Sequence, residues 1–239
     1  MREPISLAIE TSCRLGGAAL GAGDEIIARA DFDASSRHAT QLVGRLAELL
    51  GSHGLRPADL HEVYVSVGPG SFTGTRIAVT VARMLAQMLP RLHCVAVPTP
   101  AAVAEAARQM DWRHLAVVLD AREGLAHVST FRRDAGEAGP CEPSGVMAPR
   151  EFLAACPRPI VLLGEGLGYH DLSGDGITIP HPEATDSPPH LPLAENVWRV
   201  GRRMARAGRF TEVAHLLPVY SRPPEAVRAW EKTHGPGGV

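Results

Sequence analysis

The chain has 239 residues, 45% hydrophobic and 21% charged, which suits one large domain or two smaller lobes with ample core. A net charge of −2 excludes the global basic field usual in nucleic-acid binders. The four cysteines, Cys13, Cys94, Cys141 and Cys156, are widely spaced without a CxxC pair, which excludes a zinc ribbon and a secreted disulfide framework. Reduced thiols agree with a cytoplasmic setting. The start, MREPISLAIETS, is not expected to act as a signal peptide, and no apolar run reaches membrane-spanning length.

Ile5 to Glu10 reads as a strand, followed by a turn at Thr11–Arg14. Leu15–Leu20 and Glu25–Phe32 read as two more strands, joined by a hairpin at Gly21–Asp24. A meander of three strands is not the opening of a βαβ dinucleotide unit. Ala39, Leu42, Val43, Leu46, Leu49 and Leu50 then recur at helical spacing, with Ser35 or Ser36 as cap and Gly51–Gly54 as stop. Val63–Val67 is a β-branched strand, Gly68-Pro69-Gly70 a tight turn, and Ser71 the N-cap of a helix from Phe72 to Leu89. A strand at His93–Val97 and a helix at Pro100–Met110 complete the order β-β-β-α-β-α-β-α.

The order then begins again. Leu115–Asp120 and Ala126–Arg132 read as strands around a turn at Gly124, and Arg133–Ser144 as a polar surface loop. Pro149–Ala155 is a short helix, Ile160–Leu163 a buried strand, and Gly164–Gly168 a second glycine loop. Residues 171–192 are irregular in composition, and Leu193–Ala207 is a helix carrying Arg199, Arg202, Arg203 and Arg206. Beyond Pro218 come turn residues, a short helix to Trp230, and a tail expected to be disordered.

The helix from Phe72 is apolar on most of its circumference. Ile77, Val81, Met84, Leu85 and Met88 form one stripe; Ala78, Ala82 and Ala86 form a second, of small residues; Arg76, Thr80, Arg83 and Gln87 leave a narrow polar edge. Such a helix is expected to be covered on two sides, by its own sheet and by a neighbour. Its N-terminus has anion-binding geometry. The loop nevertheless lacks the lysine of a Walker A motif, and glycines at 68, 70 and 74 miss the GxGxxG spacing, so plain fold geometry is the ordinary reading.

Four motifs, LAIETS near residue 10, GPGSFTGTRI at 68–77, DAREG at 120–124 and PVYSR at 218–222, occur in this order along nearly the whole chain. With them the chain resembles the TsaB (YeaZ) family, accessory subunits of bacterial tRNA threonylcarbamoyladenosine synthesis. The resemblance implies an α/β fold of the ASKHA class (actin, hexokinase, Hsp70) with two ribonuclease H-like lobes. The expected division is residues 1–110 and 111–215, with 216–239 packing back on the first lobe. It also implies an interlobe cleft of degenerate nucleotide-site character formed by Glu10, Gly68, Gly70, Asp120, Gly164 and Gly166. No cofactor is expected to be required, with at most weak ATP or ADP binding at the cleft or at a subunit joint.

The catalytic paralogue TsaD carries a His-x-x-x-His metal motif where this chain reads VAVPTPAAVAEAA, and none of the eleven histidines pair at i, i+4. The resemblance therefore implies a partner subunit with no catalytic and no metal-binding residues. It would bind and activate TsaD for N6-threonylcarbamoylation of the adenosine next to the anticodon in tRNAs reading ANN codons. A TsaE-type ATPase, a homodimer of this chain, and tRNA held indirectly through the complex complete the implied partners. The implied interface uses the helices at 37–50 and 72–89, through His38, Leu42, Leu46, Arg76, Ala78, Val79, Ala82, Arg83 and Ala86.

The ordinary roles stand beside these. A first-turn histidine such as His38 usually caps or packs, and Asp120 and Arg122 suit a turn. The arginines from Arg199 to Arg209 make a solvated face before they make a tRNA contact. Two other functions remain open from sequence: an ATP-dependent ASKHA enzyme using Glu10 and Asp120 around magnesium, and direct tRNA binding by the Arg199–Arg209 face.

Overall fold

Alternating small and β-branched residues build two five-stranded sheets of the same topology. The computed structural model describes residues 3–33, 38–134, 137–180 and 191–223, with Val227, Trp230 and Thr233. The proposed caps Ser35 and Ser36, part of the irregular stretch (181–190) and most of the tail lie outside the described residues. In the first sheet, β1 (Ile5–Glu10), β2 (Leu15–Ala22) and β3 (Glu25–Asp33) form an antiparallel meander; β4 (Glu62–Gly68) and β5 (His93–Pro98) add in parallel on the far side of β1. The resulting order is β3-β2-β1-β4-β5.

The second sheet repeats this order with β6 (His114–Asp120), β7 (Ala126–Asp134), β8 (Glu137–Met147), β9 (Ile160–Leu163) and β10 (Ile177–Thr178). These are the two ribonuclease H-like lobes expected. β8 corrects the surface loop expected at 133–144: it is an edge strand, paired only with β7, where prolines and polar residues are tolerated.

Helices α1 (His38–Gly51) and α2 (Phe72–Met88) cover one face of the first sheet, with Leu42, Leu46, Ala78, Val79, Ala82 and Ala86 in its core beside Leu7, Ile9 and Val65. The opposite face is covered by α5 (Ala194–Arg206), whose Val197, Trp198 and Val200 pack on Ala8, Tyr64 and Val95. This corrects the expected division, which placed α5 in the second lobe. Its Trp198 Nε1 donates to Ser6 Oγ at 2.8 Å, and Thr211 beyond it bridges Cys94 on the β5 edge.

Helix α3 (Thr99–Ala104) is shorter than expected, running on as a 3-10 turn to Ala107. It is a wedge: Ala102 joins the first core, while Val103 and Ala107 join Leu115, Val117 and Phe131 of the second. Helix α4 (Pro149–Ala155) covers the other side of the second sheet through Phe152.

Helix α2 begins against the turn after β1, and that contact has no room for a side chain at Gly74. A Cβ there would lie 1.8 Å from the carbonyl oxygen of Thr11. Gly→Ala inside a helix normally stabilises; here overpacking reverses the sign. Gly74→Ala is expected to cost about 1–3 kcal/mol in urea denaturation. Gly44→Ala, in the exposed middle of α1 with nothing within 4 Å of the added carbon, should gain about 0.5–1 kcal/mol.

Candidate functional site

The two lobes meet at a cleft of about 760 Å³. Its wall is made by the turn after β1 (Ser12, Cys13, Arg14), the start of α2 (Gly70–Thr73), the β6–β7 turn (Asp120–Arg122), Glu165 and the C-terminal residues Tyr220–Pro223.

Glu10 ends β1 but does not reach this wall. It is fully buried; Oε1 accepts from the Ser12 amide, and Oε2 has no partner. Burial without a cation pushes its carboxyl up to about 7, with hydrogen bonds from Ser12 offsetting only part of that shift. Asp120, at the corresponding end of β6, does line the cleft. Its Oδ1 accepts from the Arg122 amide at 3.1 Å and lies 3.8 Å from His170 Nε2, a buried nitrogen with no hydrogen-bond partner. Glu165, which the sequence reading passed over within its glycine loop, faces the same space. Burial and then the Asp120 charge push its carboxyl up, and Arg14 opposes them.

The glycines of the expected cleft serve packing. Gly68 and Gly164 close β4 and β9 with the same φ of +107°; a Cβ would lie 2.2 Å from Val219 O at the first and 2.3 Å from Val118 O at the second. Gly166 is pressed on Val118 in the same way. Of the six residues expected at the cleft, only Gly70 and Asp120 line it; Glu10, Gly68, Gly164 and Gly166 lie behind its wall. These residues do not suit a magnesium nucleotide held by Glu10 and Asp120. One carboxylate is sealed and half-neutralised near pH 7, and the amide of the α2 cap, Ser71, is already bonded to Ser12 O at 2.6 Å.

The arginine face of α5 is likewise occupied. Arg202 bonds Asp24 at 3.0 Å and Glu62 at 3.2 Å, Arg206 bonds Asp24 at 2.9 Å, and Arg203 grips Glu105 through both nitrogens at 2.6 and 2.9 Å. Arg199 turns to Asn196 at 3.0 Å. The row read first as a solvated face, with tRNA phosphate contact as the alternative, is largely bonded within the chain.

The expected interface residues also divide. Leu42, Leu46, Ala78, Val79, Ala82 and Ala86 are at most 8% exposed, turned into their own lobe, so the small-residue stripe is not an outward surface. His38 opens α1, and its side chain lies outside the described residues. What α1 and α2 present outward is Val43, Met84 and Met88, exposed by 60%, 55% and 75%, together with Arg76 and Gln87. A groove of about 380 Å³ runs along α2 between Arg76, Arg83, Met84, Pro218 and Tyr220. Arg76 lies over the Phe72 ring, and Phe72 stacks on Tyr220 at 4.8 Å between centroids.

Comparison with known proteins agrees with this arrangement. Residues 32–153, just over half of the chain, match the family described as TsaD: tRNA N6-adenosine threonylcarbamoyltransferase. The tRNA threonylcarbamoyladenosine biosynthesis protein TsaB of Bacillus subtilis (strain 168) is 28% identical, over 94% of this chain and 96% of its own length. Its namesake from Escherichia coli (strain K12) is also 28% identical, over 96% and 98%. The chain belongs to the TsaB/YeaZ family. It is thus a TsaB-family protein of tRNA threonylcarbamoyladenosine biosynthesis within the TsaD-related ASKHA superfamily. The solved YeaZ from Pseudomonas aeruginosa shares the fold, with a TM-score of 0.76 at 24% identity over 91% of this chain and 99% of that one.

Among the described residues, this TsaB-family chain has no group of three His, Cys, Asp or Glu side chains placed to hold a metal ion. No described helix is long and apolar enough to cross a membrane. Glu165, Tyr169, Tyr220 and Arg222 also line the cleft without being site candidates from sequence: Glu165 and Tyr169 carry no spacing signal of their own, and the PVYSR motif gives Tyr220 and Arg222 no role by itself.

The Glu10 shift has a measurable sign. The native state holds this proton up to about pH 7, whereas an unfolded glutamate releases it near 4.5. Its contribution to stability is therefore complete below pH 4.5 and is lost as pH rises through 7. Glu10→Gln, which keeps an acceptor for the Ser12 amide, should flatten the pH dependence of urea stability between pH 5 and 8. At pH 8 it should exceed the wild type by up to about 3 kcal/mol. Parallel curves for the two proteins would refute the buried-acid assignment.

Proposed function

We propose that the chain is the non-catalytic dimerisation subunit that binds and activates a TsaD-type paralogue for N6-threonylcarbamoylation of tRNAs reading ANN codons. One observation carries this reading: α2 is filled on its inner side by its own sheet, yet exposes Met84 and Met88, one helical turn apart, outward, and α1 likewise exposes Val43. Large apolar side chains grouped on one helical face mark an interaction surface. The absence of a His-x-x-x-His motif in residues 95–107 and the sealed Glu10 carboxylate favour a supporting role over chemistry in this chain. ATP chemistry would then belong to a TsaE-type subunit, and tRNA would be held through the complex, since the α5 arginines are bonded within the chain.

Size-exclusion chromatography with light scattering, on the chain alone and mixed with a TsaD paralogue, tests the proposal. A homodimer that converts to a 1:1 heterodimer is expected. Met84→Asp and Met88→Asp should weaken the heterodimer at least about tenfold, since each removes more than 1.4 kcal/mol of buried apolar contact, while leaving urea stability unchanged. Ala82→Arg, by contrast, should unfold the lobe, because Ala82 is fully buried. A chain that stays monomeric and ignores the paralogue would overturn the partner role.

A further inference from the structure

The PVYSR segment plays no part in the docking face argued above beyond lining its groove, yet it bonds both lobes at the mouth of the cleft. Val219 N donates to Val67 O at 2.7 Å, extending the end of β4, and the Val219 carbonyl fills the space left by the missing side chain of Gly68. Tyr220 then stacks on Phe72 in the first turn of α2. All of these contacts lie on the first lobe.

Two residues later the chain holds the second lobe. Arg222 Nη1 donates to Ala121 O at 3.1 Å and Nη2 to Glu123 Oε2 at 2.8 Å, both in the β6–β7 turn beside Asp120. That turn is strained. Arg122 and Glu123 have φ of 61° and 56°, two consecutive side-chain-bearing residues in the left-handed region. Arg222 bonds the residue before this pair and the second member of it, so its guanidinium braces the turn. Between the two anchorages, Tyr220, Ser221, Arg222 and Pro223 pass along the mouth of the cleft.

We infer that residues 218–222 form a clasp that holds the two lobes closed over the cleft, with Val219 as its fixed end and Arg222 as its latch. The geometry suits this role. The fixed end is a backbone bond to the buried end of β4 at Val67, whereas the latch is a side chain bonded at the rim, the weaker of the two and the first to release. Opening at the latch uncovers the cleft without unpairing either sheet. The inference concerns the isolated chain and stands apart from the partner proposal.

Cys13 provides the readout. It lines the cleft, is 7% exposed, and donates its thiol to Leu15 O at 3.0 Å. Burial raises its thiol far above the ordinary range, so its labelling is expected to be slow while it stays buried. Cys94, 2% exposed in the first core and away from the cleft, reports loss of the fold as a whole.

The full chain is treated with a maleimide, and labelling of each cysteine is followed by peptide mass spectrometry. Arg222→Ala is expected to speed Cys13 labelling about tenfold with the Cys94 rate unchanged, the factor for losing a hydrogen bond to a charged group. Arg222→Lys, which keeps the charge but cannot span the carbonyl and the carboxylate together, should fall between. Glu123→Gln removes only the rim ion pair and should raise the Cys13 rate about two- to threefold. A Cys13 rate unchanged in Arg222→Ala overturns the clasp. A rise in both cysteines together across Arg222→Ala and Glu123→Gln also overturns it, since that would mean the contacts hold the fold rather than the cleft.

Discussion

The first turn of α2 lies directly against the turn that follows β1, and the two are joined by one backbone and one side-chain hydrogen bond. Ser71 N donates to Ser12 O at 2.6 Å, and Thr11 Oγ1 donates to Gly74 O at 2.7 Å. Only glycine permits this approach at two points: a Cβ on Gly70 would sit 2.5 Å from Ser12 O, and one on Gly74 closer still to Thr11 O. The GPGSFTG run is therefore a close-packing device. An anion-binding loop would leave its amides pointing at open space, whereas here the cap amide is spent on the neighbouring turn. The same contact roofs over Glu10, because the turn that could have exposed its carboxylate is pressed down by the helix.

From that seating follows the distribution of helices. With α1 and α2 on one face of the first sheet, the other face stays open until α5 returns from beyond the second lobe to fill it with Trp198. Its arginines then meet exposed Asp24 and buried Glu62 and Glu105, and the latter two would otherwise be buried without a counter-charge. The basic row of α5 thus serves the exchange of helices between lobes. The second lobe has no counterpart of α2 after β9; a short 3-10 turn at Glu165–Gly168 stands there. Among the described residues, only the first lobe has a long helix with an outward face to present.

Sequence made the strands and α2 legible wherever local chemistry and burial agree. Val63–Val67, Ile160–Leu163 and Leu115–Asp120 are β-branched or leucine runs with turns at their ends, and all fall within strands. β8 escaped because an edge strand carries polar residues and prolines that read as a loop. The stripes of α2 were legible as apolar but not as inner or outer. Periodicity counts faces and cannot say which one the sheet takes, so Ala78, Ala82 and Ala86 looked like an interface and proved to be core. Glu10 is the same case in miniature. Its position at a strand end was readable, but whether its carboxylate points into the cleft depends on a helix more than sixty residues away. Arg222 and Glu165 reach the same cleft only through tertiary structure, which leaves no spacing to find.

The duplicated design makes the asymmetry between the lobes informative. Each lobe ends its first strand in an acid, Glu10 or Asp120, and its fourth in a glycine at φ +107°, Gly68 or Gly164. A magnesium nucleotide held between such lobes would draw on oxygen ligands from both sides. In this chain one acid is withdrawn into the core and the other is engaged by the turn that follows it. The described wall between them carries Arg14, Arg122 and Arg222 against Asp120 and Glu165. One glycine seats the returning C-terminal segment, while the other is closed by its own lobe at Val118. The symmetry that would build a reaction chamber is used to join the lobes, and under the proposed partner role the surface left for work is the outer face of α2.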